Sequence, residues 1–318
     1  MKSKHLLRGI FKSIPGIEKV FNFHKQTGGT NNARYCYSVW LRHLIYAHKN
    51  GIIGVPKNIA ELGPGDSLGI GLAALLSGSE KYYAFDVVKY ANTNMNLAVF
   101  NELRDLFSKK TPLSSITEFP NLKPKLDNYD FPSEILSDDH LEKMLNKERI
   151  EKIRNAIQCL DHSSESNAMI TYKVPWSDNS IIETGTLDMI FSQAVLECVD
   201  DLETTYKVMN KWLKPNGIIS HCIDLKFDSA DNWYEHWTFS DLEWKIVKGR
   251  KKYFINRMPY SAHIKLMHDN GFAIICDVKT KTNLAAKRNN LAKPYKHLSD
   301  EDLTTSGTFI QAQKTKNL

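Results

Sequence analysis

Gly63-Pro64-Gly65 stands between an apolar run, Ile59 to Leu62, and a stretch of small and apolar residues that reaches Gly78. Two glycines so placed let the backbone turn sharply and approach a ligand. A helix starting just beyond offers free N–H groups and its positive end to a nucleotide phosphate or a carboxylate. Asp86 closes the next β-like run, "KYYAFDVV", where an acidic side chain can accept from both hydroxyls of a ribose. Turn and acid together point to an adenosine-containing cofactor. A dinucleotide fingerprint would read G-x-G-x-x-G, whereas Gly63-Pro-Gly65-Asp-Ser-Leu-Gly69, with Glu61 ahead of it, departs from that spacing.

A second pair of reactive types lies in "SHCIDL". His221 titrates near neutral pH and is the candidate general base, and Asp224 either orients it or caps the following segment. Strand alternation sends the two to opposite faces of a sheet, so direct pairing requires the strand to end near Ile223. No cluster of His, Asp, Glu or Cys has metal-ligand spacing. "DDH" at 138–140 reads as a solvated helix start, and the five cysteines are far apart, as reduced thiols of a cytoplasmic protein would be.

The elements that must carry these residues follow from periodicity. Seven β-like runs are legible: "IAEL", "KYYAFDVV", "AMITYKV", "LDMIFSQAV", "GIISHCIDL", "FAIICDVK" and "TFIQAQK". Helical stretches such as "DDLETTYKVMNKWLKP" and "SAHIKLMHDNG" separate several of them, which predicts an α/β fold with a mainly parallel sheet and helices on both faces. Such a sheet binds ligands beyond the carboxyl ends of its strands, where the strand order reverses. Before the first strand, "ARYCYSVWLRHLIYAHKNG" repeats apolar residues at helical spacing and stops at Gly51. Residues 100–166 are polar, proline-punctuated and then charged and helical. They read as an insertion between strands 2 and 3, too poor in apolar residues for a core of its own.

The glycine turn with its preceding acid resembles the first motif of class I S-adenosylmethionine (SAM)-dependent methyltransferases. The resemblance extends through Asp86, "VPWSDNS", "LDMIFSQAVLECVDD" and "LKPNGIISHCIDL" to "FAIICDVK" and "TFIQAQK", which are similar to that family's final antiparallel hairpin. It covers roughly residues 55–100 and 168–318, and implies a Rossmann-like seven-stranded sheet with its last strand antiparallel. Residue by residue it implies that Gly63 and Gly65 pass close to the amino acid part of SAM, and that Glu61 orients the turn or, through water, the methionine ammonium. Asp86 would hold the ribose, Val174 and Trp176 would border the adenine with Asp178 near its amine, and Gln193 would face the methyl group. Trp176 as a core aromatic and Gln193 as a strand cap are the plainer alternatives. A lid before the first strand would include Arg34 and Tyr37; a core position for Tyr37 is the other reading.

"ARYCYSVWLRH", "FPNLKPKLDNYDFPSEIL" and "FINRMPYSAHIKLMHDNGF" resemble segments of bacterial methyltransferases associated with surface-polysaccharide biosynthesis. That implies transfer to a hydroxyl of a sugar or glycan-type acceptor. The domain plan is then an arm and lid over residues 1–57 and a SAM-binding domain over 58–318, with 100–166, including Tyr129 and Phe131, on the acceptor side. Leu6, Leu7, Ile10, Phe11 and Ile14 beside Lys2, Lys4, Arg8 and Lys12 would suit a helix on an anionic membrane surface through residues 1–24, or an arm packed on the domain.

Composition narrows the rest. The 318 residues are 42% hydrophobic, enough for a sizeable core. The net charge of +6 comes from basic residues scattered along the chain without an aromatic-interleaved block, which disfavours nucleic acid as a partner. The N-terminus has no secretory pattern, and no apolar run has the length of a membrane span. Two other functions remain open: an NAD- or nucleotide-sugar-binding oxidoreductase, disfavoured by the glycine spacing and "LKPNG", and a non-catalytic partner protein of the same fold.

Overall fold

The computed structural model describes His5 and residues 29–160, 168–176, 180–227, 232–251 and 253–315. Asp178 and the membrane-facing positions proposed within residues 1–24, His5 apart, lie outside the described residues.

The seven strands are β1 (Asn58–Leu62), β2 (Lys81–Phe85), β3 (Ile170–Lys173), β4 (Leu187–Gln193), β5 (Leu213–Asp224), β6 (Phe272–Lys281) and β7 (Thr305–Lys314). They form one sheet in the order β3-β2-β1-β4-β5-β7-β6. β1 to β5 run parallel, and β7 inserts antiparallel between β5 and β6. The order reverses between β1 and β4, so the crevice expected for a ligand lies at the carboxyl ends of those two strands.

Among the described residues eight α-helices cover the sheet: α1 (Ala33–Lys49), α2 (Gly69–Ser77), α3 (Thr93–Ser108), α4 (Asp138–Met144), α5 (Lys147–Gln158), α6 (Leu202–Trp212), α7 (Asp241–Lys248) and α8 (Tyr260–Asp269). Strand alternation divides the core in two. Phe191 and Ile218 face α1, α2 and α3 with Trp40, Leu44, Leu72 and Phe100. Their neighbours Ile190 and Ile219 face α6 and α8 with Tyr206, Met209, Trp212 and Met267.

α1 starts where the Asn32 side chain accepts from the Tyr35 N–H, and it buries most of its circumference. Trp40 donates to Ser77 Oγ at 2.7 Å, and the buried Arg42 guanidinium donates to the carbonyls of Ser38, Ser114 and Pro124 at 2.8–3.0 Å. A buried cation without a carboxylate is tolerable when every N–H it turns inward finds an oxygen.

The stretch 100–166 begins inside α3, and its apolar side chains Leu113, Leu122, Leu126, Leu136, Ile150 and Ile153 join the same core cluster as α1 and α2. Phe131 is buried in that cluster too, and Tyr129 lies against the Arg42 guanidinium at 5.6 Å. At 138–140 the chain starts α4: Asp138 pairs with Lys110, and His140 Nε2 lies 2.7 Å from the Ser77 carbonyl. His5, the one described residue of 1–24, rests on the domain, with its ring 5.1 Å from that of Phe227 and Nε2 3.6 Å from Glu235. No helix among the described residues is long and apolar enough to cross a membrane.

Candidate functional site

The turn after β1 has the backbone that only glycine adopts cheaply, with φ +68° at Gly63 and +75° at Gly65. A Cβ on Gly63 would stand 2.5 Å from Val195 Cγ2, so the glycine also keeps the turn and the exit of β4 together. The Gly63 N–H donates to the Phe85 carbonyl at 2.8 Å, which ties the turn to the end of β2. One residue further, the Asp86 carboxylate accepts from the Val87 N–H at 2.7 Å on Oδ1 and from the Gly65 N–H at 3.3 Å on Oδ2. Burial raises the Asp86 pKa, against the pull of those N–H groups and that of Val88.

Between turn, Asp86 and the exit of β4 lies a cleft of about 400 Å³. Gly63, Gly65, Asp86, Trp176 and Gln193 line it, together with Tyr90, Val195, Cys198, Asp200 and Tyr253. Trp176 is both wall and core. Its N–H donates to the Asp86 carbonyl at 2.9 Å, and its ring packs on Phe85 and Trp212 at 5.3 and 5.6 Å. Its indole Nε1 is buried without a partner among the described residues. An orphaned polar atom beside the cleft marks a place where a ligand group would complete the hydrogen bonding.

The Gln193 side chain lies against Tyr35, His43 and Cys222. It also lines a smaller adjoining cavity of about 120 Å³ with Tyr35, Asn121, Lys123, Ala194, Cys222, Asp224, Lys226, Thr280, Ser306 and Thr308. The insertion therefore reaches this side through Asn121 and Lys123, whereas Tyr129 and Phe131 pack elsewhere.

Several expected positions are not on either wall. Glu61 is 1% exposed beneath the turn, accepting from Tyr82 Oη at 2.5 Å and from the Gly71 N–H; burial pushes its carboxyl up to about 8. It braces the turn and the start of α2, the first of the two roles expected for it. Val174 is half-buried at the end of β3 and does not line the cleft. Tyr37 is fully buried, its ring 4.9 Å from Phe107 and its hydroxyl donating to the Thr111 carbonyl, because α1 turns that face onto α3. Arg34, for its part, pairs with Glu118 at 3.0 Å.

The start of α2 is also less open than its position suggests. The N–H groups of Ser67, Leu68, Gly69 and Gly71 go to Thr30 Oγ1, Asn96 Oδ1, Ser67 Oγ and Glu61. With those donors satisfied internally, the anion-binding capacity of a free helix end is used up inside the protein.

His221 is the clearest departure. It is fully buried on the α6–α8 face, with Nδ1 2.8 Å from Ser192 Oγ, and lines neither cavity. Burial, then the neighbouring His43 and His263, pushes it down to about 3, so it is a neutral core histidine. β5 runs through Asp224, so the two side chains stay on opposite faces and never pair.

Buried titrating groups set a pH optimum for stability. Burial lowers His43, His221 and His236 to about 3 and His263 to about 4, from an ordinary 6.5. The unfolded chain takes up these protons first, so their contribution is present above pH 6.5 and is lost as pH falls toward 3. Glu61 and Glu197 are raised from 4.5 to about 8, so their contribution is present below pH 4.5 and is lost as pH rises through 8. Below 6.5 the histidines outnumber the raised carboxyls, and above it the carboxyls act with little opposition. Thermal unfolding followed from pH 4 to 9 is expected to give the highest Tm at about pH 6–7. A Tm that climbs steadily to pH 9 would show that these groups are not buried in these forms.

The sheet order with its reversal at β1 and β4, the left-handed glycine turn and the acid ending β2 define an open Rossmann-like α/β fold with a ligand cleft at its topological switch point. No family model and no curated protein sequence matches the chain. Among solved structures it is similar to a protein of Galdieria sulphuraria described as a sarcosine dimethylglycine methyltransferase, with 11% identity over 87% of this chain and 85% of that one and a TM-score of 0.45. It is similar as well to a SAM-dependent methyltransferase of Mesorhizobium loti (13% identity, 85% and 96% of the two chains, TM-score 0.40). A geranyl diphosphate C-methyltransferase of Streptomyces coelicolor A3(2) is similar at 10% identity over 86% and 78%, with a TM-score of 0.42.

Proposed function

We propose that the protein is a SAM-dependent methyltransferase that transfers the methyl group to a hydroxyl of a sugar or glycan-type acceptor. The observation that carries the cofactor is the Asp86 carboxylate at the end of β2, hydrogen-bonded to the Gly63–Gly65 turn and lining with it a cleft of about 400 Å³. The fit is chemical as well as spatial. A ribose brings two hydroxyls to a carboxylate whose bond to the Gly65 N–H is a long 3.3 Å, and an adenine ring brings an acceptor edge to the orphaned Trp176 Nε1. Gln193, which lines the same cleft, would lie beside the methionine part.

Bound SAM supplies a methyl group already activated on a sulfonium. The protein's task is placement and exclusion of water. Val195, Cys198 and Tyr253 wall the cleft with apolar surface, and Lys248 fixes Asp200 at its edge with a 2.7 Å ion pair. Gln193 and Ala194 are shared with the smaller cavity, so an acceptor there approaches from the β4–β5 side. That cavity's hydroxyls, amides and carboxylate suit a polyhydroxyl acceptor. Asp224, the carboxylate lining that cavity among the described residues, would take the proton of the acceptor hydroxyl as it is methylated.

Calorimetric titration with S-adenosylhomocysteine, with NAD as the control ligand, tests the cofactor. Micromolar binding of the former alone is expected, and binding of NAD alone would replace the reading with the oxidoreductase one. With an acceptor in hand, Asp224→Asn is expected to lower kcat by about a hundredfold with S-adenosylhomocysteine affinity unchanged. An unchanged kcat would remove Asp224 as the base.

A further inference from the structure

Lys123 and Lys226 both line the small cavity beside Gln193, whose one acidic side chain among the described residues is Asp224. Asp224 is already matched. Its carboxylate lies 3.3 Å from Lys226 Nζ and accepts from the Lys226 backbone N–H at 3.1 Å. Lys123 makes no ion pair or side-chain hydrogen bond among the described residues, although it is half-buried. Burial, then Lys125 and Lys226, lower its pKa, with Cys222 and Asp224 pulling the other way. An ammonium held partly out of water beside other ammonium groups is an unfavourable arrangement until an anion joins it.

The remaining lining is made of hydroxyl and amide groups: Tyr35, Asn121, Thr280, Ser306 and Thr308. Some of these are engaged below the surface, Ser306 Oγ with the Thr280 carbonyl and Thr308 Oγ1 with Asp277. About 120 Å³ is room for an anionic group and a few attached atoms, not for an extended chain. The cavity is therefore small, polar, one positive charge in surplus among the described residues, and adjoins the cleft at Gln193 and Ala194.

We infer that the cavity lined by Lys123 and Lys226 recognises an anionic group, a phosphate or a carboxylate, carried by the acceptor. The inference rests on the reading of the neighbouring cleft as the cofactor site. It deepens that reading by making the acceptor an anionic sugar rather than a neutral one. Lys123 supplies a charge that forms no ion pair among the described residues, and Lys226, paired with Asp224, is the second arm.

The test uses the full-length protein, with and without S-adenosylhomocysteine, titrated with glucose 6-phosphate, glucuronate and glucose and followed by ligand-observed NMR. At least one of the anions is expected to bind about tenfold or more tightly than glucose, as one charge-assisted contact provides. Which of the two binds separates phosphate from carboxylate. The Lys123→Met/Lys226→Met variant is expected to lose that preference while keeping its melting temperature and its affinity for S-adenosylhomocysteine. Equal binding of all three probes, absence of binding by both anions, or a preference that survives in the double variant would overturn the inference. Failure of S-adenosylhomocysteine to bind the wild-type protein would instead strike the methyltransferase reading, and a lysine-dependent anion preference would still stand.

Discussion

Asp86→Ala is expected to weaken binding of S-adenosylhomocysteine by about ten- to a hundredfold while the protein stays folded. Hydrogen bonds to a charged group contribute about 1.5–3 kcal/mol, and each ~1.4 kcal/mol is tenfold in affinity. The side chain sits at a strand end rather than in the packed core. Its lost partners are the N–H groups of Gly65, Val87 and Val88 at the cleft, where water can replace it. The fold therefore depends on it less than the ligand does. Asp86→Asn keeps acceptor geometry for those N–H groups and removes the charge, so its affinity should fall between wild type and alanine. Calorimetry on both variants, with circular dichroism melts as the control, reads the effect. Wild-type affinity in a folded Asp86→Ala protein would remove Asp86 from the cofactor site.

Gly71→Ala is expected to destabilise the protein by about 3 kcal/mol, the upper end of the usual cost of overpacking. Alanine is the better helix former, so a surface glycine at this position would gain stability by the change. Here the new Cβ would fall 2.0–2.3 Å from three atoms of the Tyr82 ring. The ring has little room to retreat, because Tyr82 is buried and its hydroxyl holds the Glu61 carboxyl at 2.5 Å. Displacing it also costs the bond that steadies the carboxyl beneath the glycine turn, so affinity for S-adenosylhomocysteine should drop together with Tm. Combining Gly71→Ala with Tyr82→Leu makes room and should recover part of the loss, a non-additivity characteristic of residues in contact. Independent, additive costs in a double-mutant cycle measured by urea unfolding would show that the two do not meet.

The sites of these predictions differ in how they could be known. The glycine turn and Asp86 were legible because both are dictated locally. A turn with two left-handed residues needs glycine, and an acid at the end of a short apolar run is displayed at the strand's carboxyl end whatever packs around it. The lining by Tyr90 and Tyr253 was not legible. Tyr253 comes from a segment joined to the cleft only by distant contacts, Asn256 to the carbonyls of Leu196 and Val199 and Lys248 to Asp200. No local pattern encodes such pairings. The donors of the α2 N-terminus misled for the same reason, since Thr30 and Asn96, which take two of them, come from elsewhere in the chain.

By itself the sequence determined the alternation of strands and helices, the seven strands, the sharp turn after β1 and the acid after β2, because periodicity, glycine and short-range geometry act within a few residues. Only the tertiary structure decided the burial of each polar group. It turned His221 into a neutral core residue against Ser192, placed Tyr37 against Phe107, set Glu61 under the turn and left Lys123 beside the smaller cavity without an ion pair among the described residues. A histidine, a tyrosine or a lysine has the same local propensity inside or outside. What separates a base from a packed ring is desolvation by residues far away in the chain, a property of the assembled sheet and helices alone.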